Sequence, residues 1–334
     1  MKHIFTTLSL LAAFVLCSKS TFSQEKDTLM RLEDNLYMIP NLGGNVTFLV
    51  TTDGVIVFDA GVSKTNGHKI ETYVQSVTTQ PIRYLVLTHY HADHTTGACG
   101  FESKPIIVGH ENLSKNLKQF NIPRLQKRVQ FDLPAQIGKL RAQADSLVVA
   151  KSAEAVAIQT KLAEKETELL AAKETSFLLP SISFSSVLEI YLGNDTINLW
   201  YPGPTHTDCS IFVELKNKKT LIAEDILFNK LRPYIDFGAN CDTKNWADQL
   251  EGMTHLHYTR VIPGHGPVAT PADLGIQAQY LRDLRADIAT RFKKGESLEK
   301  MQTEIKSEKY AEYGFQHVLK PEIEAIFNEM SRKK

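Results

Sequence analysis

Cysteine is scarce in this sequence, and neither sign of charge is in excess. The chain has four cysteines in 334 residues, and only Cys99, Cys209 and Cys241 lie beyond the N-terminal apolar segment. An odd number of widely spaced thiols is not a disulfide framework, although a single bridge stays open. Lysine plus arginine number 38, as do aspartate plus glutamate, so no overall field directs the chain towards nucleic acid or an anionic membrane. The core must therefore be held together mainly by burial.

Long hydrophobic runs are also absent, apart from one at the N-terminus. The start MKH is basic, IFTTLSLLAAFVLC is apolar but too short to span a bilayer comfortably, and STFSQ supplies small residues for cleavage. The pattern predicts a signal peptide over residues 1–23 and an exported mature chain, residues 24–334, periplasmic or secreted, with no stable membrane anchor. A lipoprotein signal at Cys17 is the weaker interpretation because Leu16 stands where a small residue is usual. A retained anchor is a further alternative.

Strand and helix patterns alternate along the mature chain. Residues 34–61 are short apolar runs punctuated by Gly, Asn and Asp, which is typical of strands joined by tight turns. Residues 63–77 carry apolar side chains at helical spacing, and IRYLVL is a further strand. A second strand-rich half has turns at GND and KNKK, followed by the helical TKNWADQLEGMTHL and the strand RVIPG. We predict an α/β fold, a four-layer αββα sandwich in which two sheets pack face to face between outer helices.

A helical insertion separates the two halves. Residues 134–175 are rich in Ala, Glu, Lys, Leu and Gln, with no proline after Pro134 and no glycine after Gly138. Apolar residues at seven-residue spacing, from Val148 to Leu169, predict a long helix or a helical hairpin. We expect it to pack on the domain or on a second copy of the chain, as a homo-oligomer, rather than to form a mobile cover over the active site. A charged helical region is predicted for residues 271–334.

The stretch THYHADH, residues 88–94, places three histidines and an aspartate directly after a predicted strand. A single histidine is more often an ordinary surface or core residue than a ligand, but imidazoles and a carboxylate this close together are costly unless something binds them. His89 and His91 can reach one metal ion from a loop, and Asp93 and His94 can turn towards a neighbouring point. Zinc is bound by such groups, so the pattern predicts zinc ligands.

Three further candidate ligands follow other apolar runs. His206 lies in LWYPGPTHTD, His265 in RVIPGHGP and Asp225 in TLIAEDILF, each where a predicted strand ends. Strand ends that meet at one rim of a sandwich deliver their side chains to a shared site, so we expect these three to join the histidine cluster. Cys209, close to His206, is expected to pack on the following strand and not to bind metal.

These motifs, with FDAG at Asp59, resemble those of the metallo-β-lactamase superfamily, as an ordered set that spans roughly residues 32–266. The resemblance implies an αββα sandwich with a zinc site in the groove between its halves. It also implies two Zn²⁺ ions per chain, the first held by His89, His91 and His206 and the second held by Asp93, His94 and His265.

Asp225 matches the position at which glyoxalase II and related hydrolases place a carboxylate that bridges both metals. In β-lactamases with a three-histidine first site, this position is usually not a carboxylate, so the resemblance leaves the substrate open. Asp59 has two interpretations: it orients a metal-binding histidine through a hydrogen bond, or it is a turn residue that caps the next helix.

The resemblance implies a metal-dependent hydrolase with a small-molecule substrate. The implied reaction is attack of hydroxide on a carbonyl with cleavage of a C–N, C–O or C–S bond, in which Asp93 orients the nucleophile and manages a proton. β-Lactamase-like activity, and with it antibiotic resistance, is the first expectation, and a lactonase or thioesterase is the alternative. A di-iron oxidoreductase is disfavoured because flavodoxin-like and rubredoxin-like domains are absent. The complete ligand set disfavours a non-catalytic scaffold.

Substrate contacts are expected from two segments. Residues 41–46, NLGGNV, are predicted to form a flexible flap over the groove, because Gly43 and Gly44 permit open conformations. Lys230 and Arg232 are candidates to pair with a substrate carboxylate, the alternative being solvated surface charge.

Overall fold

Two β-sheets form the centre of the protein, whose computed structural model describes residues 28–149 and 154–332. The first sheet has seven strands in the order β1 to β7, and the second has five in the order β12-β11-β10-β9-β8. The strands are β1 Met30–Arg31, β2 Leu36–Ile39, β3 Val46–Thr51, β4 Gly54–Phe58, β5 Ile82–Val86, β6 Ile106–His110, β7 Ile182–Phe184, β8 Val187–Leu192, β9 Asp195–Trp200, β10 Phe212–Leu215, β11 Thr220–Phe228 and β12 Arg260–His265.

Helices flank both sheets and connect the two halves. The α-helices are α1 Lys64–Val77, α2 Ala92–Thr95, α3 Glu111–Asn116, α4 Ile122–Lys127, α5 Leu133–Val149, α6 Ala155–Glu174, α7 Thr243–Thr254, α8 Pro271–Lys293, α9 Leu298–Glu304 and α10 Leu319–Arg332. Strands β4 to β7 run parallel, and β12 runs parallel to β11, while the remaining pairs are antiparallel.

The packing confirms the predicted four-layer αββα sandwich. In β4, Ile56 and Phe58 point into a cluster shared with residues of the second sheet, whereas Val55 and Val57 join the cluster beneath α1. This alternation follows from the two-residue period of a strand that is buried on both faces. The outer face of the second sheet is covered by α7, α8 and α10 in a third cluster around Trp246.

Several predicted elements have the expected boundaries. Helix α1 begins after Ser63, whose hydroxyl accepts a hydrogen bond from the Asn66 amide at 3.2 Å, and it buries Ile70 and Val74 against the first sheet. The turns at GND and KNKK join β8 to β9 and β10 to β11, and α7 and β12 follow as predicted.

The insertion forms a helical hairpin rather than one long helix. Helices α5 and α6 pack against each other, with ion pairs from Arg141 to Glu166 and from Arg128 to Glu168. Helical structure already starts at Glu111, well before the predicted residue 134, and passes through two π-helical turns, Leu117–Asn121 and Arg128–Asp132. Those turns break the 3.6-residue periodicity, which is why the pattern did not reveal this part.

The three cysteines beyond the N-terminal segment are free thiols, so the single bridge left open does not form. Cys209 is fully buried and contacts the side chains of Thr207 and Asn116, as expected for a packed residue. The predicted signal peptide, residues 1–23, lies outside the described residues. Among the residues that are described, no helix has the length and apolar character needed to cross a membrane.

Candidate metal centre

The predicted ligands come together at one rim of the two sheets. THYHADH spans the loop after β5 and the start of α2, the loop after β9 carries His206, and β12 ends at His265. Asp225 does not lie where a strand ends, as predicted, but inside β11. The pairing of β11 with β12 is interrupted there on both sides of Glu224, which has a φ of 44°. This bulge re-aims the strand, so that Asp225 points into the rim. The structure thus gathers all seven predicted ligands: His89, His91, Asp93, His94, His206, Asp225 and His265.

The first group consists of His89, His91, His206 and Asp225, whose nearest ligand atoms all lie within 4.8 Å of one another. His91 Nδ1 is 3.0 Å from His206 Nε2. Asp225 Oδ2 is 3.5 Å from the Nε2 atoms of both His89 and His206. Three imidazoles and one carboxylate oxygen therefore converge on a single point.

The second group consists of Asp93, His94, Asp225 and His265, and it satisfies the same distance limit. Asp225 Oδ1 lies 3.2 Å from His94 Nε2 and 3.3 Å from His265 Nε2. Asp93 Oδ2 lies 3.4 Å and 3.2 Å from the same two nitrogens. Asp225 is the residue that both groups share, and each of its carboxylate oxygens faces a different group.

Unpartnered buried atoms test whether a metal fits these groups. Within the described chain, His89 Nε2, His94 Nε2 and Asp225 Oδ1 are buried and make no hydrogen bond. Leaving such atoms without partners is costly, whereas imidazole nitrogens and carboxylate oxygens are the ligands that zinc takes. The donor set therefore fits a divalent metal ion in each group.

The protonation tendencies of the two groups differ. Burial, reinforced by the positive field of His94, lowers the pKa of His89 to about 4, and burial together with His91 holds the pKa of His206 well below its ordinary value. For His265, burial acts in the same direction, but the carboxylates of Asp225 and Asp93 outweigh it and raise the pKa to about 9. His89 and His206 are therefore held neutral, the form in which imidazole binds metal.

Asp59 orients His94, and the alternative of a helix cap is wrong because Ser63 caps α1. Asp59 Oδ2 accepts a hydrogen bond from His94 Nδ1 at 2.7 Å, and the carboxylate also accepts from the amide and hydroxyl of Thr88, each at 2.8 Å. This arrangement fixes the tautomer of His94 and leaves Nε2 for the metal.

Two acidic residues at the site were missed from the sequence. Asp236 Oδ2 accepts hydrogen bonds from His91 Nε2 at 2.9 Å and from the hydroxyl of Tyr90. Glu224 is buried with its carboxylate 3.7 Å from His94 Nδ1, and burial together with the charge of Asp59 holds its pKa well above the ordinary value. Glu224 lies in TLIAEDILF, but that motif was used only to predict Asp225. Asp236 ends the segment PYID, which was not among the motifs.

The predicted flap is wrong, because residues 41–46 are packed against the metal centre. Leu42 and Asn45 are buried, and Asn45 Nδ2 donates to the carbonyl oxygens of Pro263 and Gly266. A Cβ at Gly44 would lie 2.6 Å from the His94 ring, so only glycine allows this close approach. The segment therefore packs against the His94 ring and does not form a flap over the groove.

Both interpretations of Arg232, as a partner for a substrate carboxylate and as a solvated surface charge, are wrong, because its side chain is 0% exposed. Its guanidinium donates to Tyr280 Oη at 2.8 Å, to Gln316 Oε1 at 3.0 Å and to backbone carbonyls of Ser307 and Tyr310. It joins the C-terminal region to the loop after β11, while Lys230 stays exposed.

An αββα sandwich with a histidine and aspartate cluster at the rim between its sheets defines a metallohydrolase fold with a candidate metal site. The chain belongs to the metallo-β-lactamase superfamily, whose family model matches residues 39–265. A comparison with curated proteins gives no significant match.

Solved structures with the same fold include both a lactamase and sulfatases. A metallo-β-lactamase from Pontibacter korlensis aligns with a TM-score of 0.54 and 15% identity, over 76% of this chain and 98% of that one. The stereoselective inverting sec-alkylsulfatase Pisa1 from Pseudomonas sp., and a double mutant of it, each align with a TM-score of 0.64 and 15% identity over 90% of this chain. This chain spans 50% of the length of those two sulfatase chains. At this identity the likeness concerns the fold alone.

Proposed function

We propose that the protein is a dinuclear zinc hydrolase that cleaves a bond next to a carbonyl group. The observation that carries the proposal is the placement of Asp225, with Oδ1 near His94 and His265 and Oδ2 near His89 and His206. A carboxylate with one oxygen for each group is suited to bridging two metal ions, and paired ions are a common hydrolytic arrangement.

The two groups would hold the zinc ions, and zinc held there would supply a hydroxide nucleophile near neutral pH and would polarise the scissile carbonyl. Asp93 is the acidic residue suited to act on the substrate side, because its side chain is 30% exposed whereas that of Asp225 is buried. Asp93 turns one oxygen, Oδ2, towards His94 and His265. To its other oxygen, Oδ1, we assign the role of orienting the nucleophile and passing a proton to the leaving group.

The first candidate reaction is β-lactamase-like opening of a lactam, with cleavage of a C–N bond. The second is hydrolysis of a lactone or thioester, with cleavage of a C–O or C–S bond. A specific observation favours the second: the carboxylate of Asp225 stands between the two groups, in the manner of glyoxalase II-like hydrolases. We also propose that residues 1–23 are removed on export, which N-terminal sequencing of the secreted or periplasmic protein would test.

Metal analysis of the purified mature protein tests the dinuclear site. We expect about two zinc ions per chain after growth with zinc. In Asp225→Asn the amide offers only one oxygen, so we expect metal content to fall towards one ion per chain and hydrolysis to fall by at least about tenfold. Asp145→Asn, an exposed aspartate on α5, is the matched control. Unchanged metal content and rate in Asp225→Asn would refute the bridge.

Substrate assays with the zinc-loaded protein separate the candidate reactions. The panel consists of a penicillin, a carbapenem, a homoserine lactone, a thioester and a secondary alkyl sulfate, the last because sec-alkylsulfatases share the fold. Turnover of the lactams alone would support the β-lactamase assignment, and turnover of the lactone or thioester would support the alternative. Turnover of the sulfate alone would contradict attack at a carbonyl.

A further inference from the structure

Two partly exposed aromatic rings flank the metal centre, one beside each group of ligands. The Tyr234 ring centroid lies 5.7 Å from that of His91 and 6.5 Å from that of His206. The Phe315 ring centroid lies 5.9 Å from that of His265. Tyr234 is 45% exposed and Phe315 is 38% exposed. Each ring thus lies beside a predicted ligand and remains partly exposed.

Buried aromatic residues already pack against two of these histidines, His265 and His206. Phe228 is buried and stacks on His265 with the ring centroids 5.0 Å apart. Trp246 is fully buried, and its ring centroid lies 5.3 Å from that of His206. The open faces of Tyr234 and Phe315 are therefore apolar surface that the fold leaves available at the site, which is the kind of surface that binds small ligands.

Phe315 is held in place by the C-terminal region, outside residues 39–265 that match the family model. The backbone of the preceding residue, Gly314, donates to the Lys230 carbonyl at 3.0 Å and accepts from the Arg232 amide at 3.1 Å. On the other side, Gln316 accepts a hydrogen bond from the buried guanidinium of Arg232.

The backbone of Phe315 is strained, with a φ of 58°. A bulky residue at positive φ is unusual and persists only where its surroundings impose it, as the hydrogen bonds on both sides do here. Residues held in such strained conformations cluster at active sites and ligand-binding sites. On the other flank, Tyr234 lies two residues from Asp236, whose hydrogen bond to His91 ties the same loop to the metal centre.

We propose that Tyr234 and Phe315 form an apolar substrate subsite that binds an aryl or alkyl group attached next to the scissile bond. The inference rests on the proposed function and names its substrate class: carboxylic acid derivatives with an apolar substituent are preferred over small polar ones. Apolar burial against two rings adds binding energy without a change at the metal ligands.

Hydroxamates test this subsite without requiring turnover, since they chelate zinc and can carry different substituents. With zinc-loaded protein, we expect benzohydroxamate and octanohydroxamate to bind at least about tenfold more tightly than acetohydroxamate. Tyr234→Ala and Phe315→Ala should each reduce this preference about threefold, and the double variant should abolish most of it. Binding of acetohydroxamate should stay within about twofold of wild type. Tyr191→Ala, an exposed tyrosine on the edge strand β8, is the control and should keep the full preference.

The outcomes separate the subsite from the proposed function. Equal affinities of the three hydroxamates for the zinc-loaded wild type, or an unchanged preference in the double variant, would overturn the subsite alone. A protein that binds neither zinc nor any hydroxamate would overturn the proposed function and the subsite with it. A protein that prefers benzohydroxamate but hydrolyses none of the test substrates would keep the subsite and contradict the hydrolase assignment. If Phe315→Ala does not fold, Phe315→Leu, which keeps an apolar side chain, takes its place in these measurements.

Discussion

His91 and Asp236 are joined by a hydrogen bond of 2.9 Å although 145 residues separate them in sequence. Asp236 also accepts from the hydroxyl of Tyr90, so two consecutive residues of THYHADH are tied to the loop after β11. Because Asp236 engages Nε2 of His91, the other ring nitrogen, Nδ1, is the one directed at His206 and Asp225. The hydrogen bond from Nε2 to Asp236 therefore leaves Nδ1 as the nitrogen of His91 that can bind a metal.

Removing this carboxylate should weaken zinc binding at the first group. We expect Asp236→Ala to lower the zinc affinity of that group by about 10- to 100-fold, and Asp236→Asn to restore part of it, since the amide oxygen still accepts from His91. Competition with a zinc-binding dye measures both affinities. Asp248→Ala, an exposed aspartate on α7, should bind zinc like wild type. Wild-type affinity in Asp236→Ala would show that His91 needs no such partner.

Glycine at position 44 should be required for the second group. In Gly44→Ala, the added methyl group would lie 2.6 Å from the His94 ring, so the ring or the loop has to shift. We expect zinc content to fall towards one ion per chain, with a loss of stability of about 1–3 kcal/mol. Chemical denaturation and metal analysis measure the two effects.

A second glycine provides the control for that substitution. In helix α7, a Cβ at Gly252 meets nothing within 4 Å. Gly252→Ala should therefore keep both metal ions and raise stability by about 0.5–1 kcal/mol, because alanine is the better helix former. Equal metal content and equal stability of Gly44→Ala and Gly252→Ala would mean that the loop carrying Gly44 can move away from His94.

Strand ends made the metal centre predictable, because a ligand that follows an apolar run is visible in the sequence itself. His89, His206 and His265 each carry that local signal. Asp236 carries no such signal, since its role depends on the path of a loop. Glu224 lies beside Asp225 in TLIAEDILF, but its role depends on a bulge with positive φ. Neither can be derived from hydrophobic periodicity.

The failures elsewhere have the same origin in long-range packing. Arg232 looks like a surface cation locally, yet its acceptors, Tyr280 and Gln316, lie 48 and 84 residues away. Gly43 and Gly44 led to the prediction of a mobile flap, whereas in the structure they allow the backbone to pack closely against Asp93 and His94. Glycine has both uses, and only the tertiary contacts distinguish them.

Metal removal should destabilise the protein. Ligand binding to the folded state adds stability, by about 4 kcal/mol when free zinc exceeds the dissociation constant a thousandfold. We expect a chelator to lower the melting temperature of wild type by several degrees and that of His91→Ala by less. His257→Ala, an exposed histidine away from the cluster, should show the wild-type shift. A melting temperature that does not respond to chelator in wild type would contradict metal binding.

The burial of Glu322, in α10, should make the stability of the protein depend on pH. Its carboxylate accepts from Tyr280 Oη at 2.7 Å, and its other oxygen is buried without a partner among the described residues. Burial raises the pKa of Glu322 to about 8, although Tyr280 and Arg232 act in the opposite direction. Because the folded-state pKa lies above the ordinary 4.5, the stability from this group is present at low pH and is lost as the pH rises towards 8.

Glu322→Gln should remove this dependence. Relative to wild type, we expect the variant to gain up to about 1.4 kcal/mol per pH unit between the two pKa values, as for one proton. Denaturation at a series of pH values measures the difference. Glu324→Gln, an exposed glutamate on the same helix, α10, should run parallel to wild type. A constant difference between Glu322→Gln and wild type would place the pKa of Glu322 near its ordinary value.

The pairing of Gly314 with Leu231 has a consequence for how this protein can diversify. It brings a segment from beyond the matched family region to the edge of the metal centre, while the ligands themselves stay on the strands of the sandwich. If the proposed subsite is correct, exchange or mutation of this segment should alter which substrates the site accepts and leave the candidate metal ligands in place. Libraries confined to residues 311–318 are the economical place to search for altered selectivity.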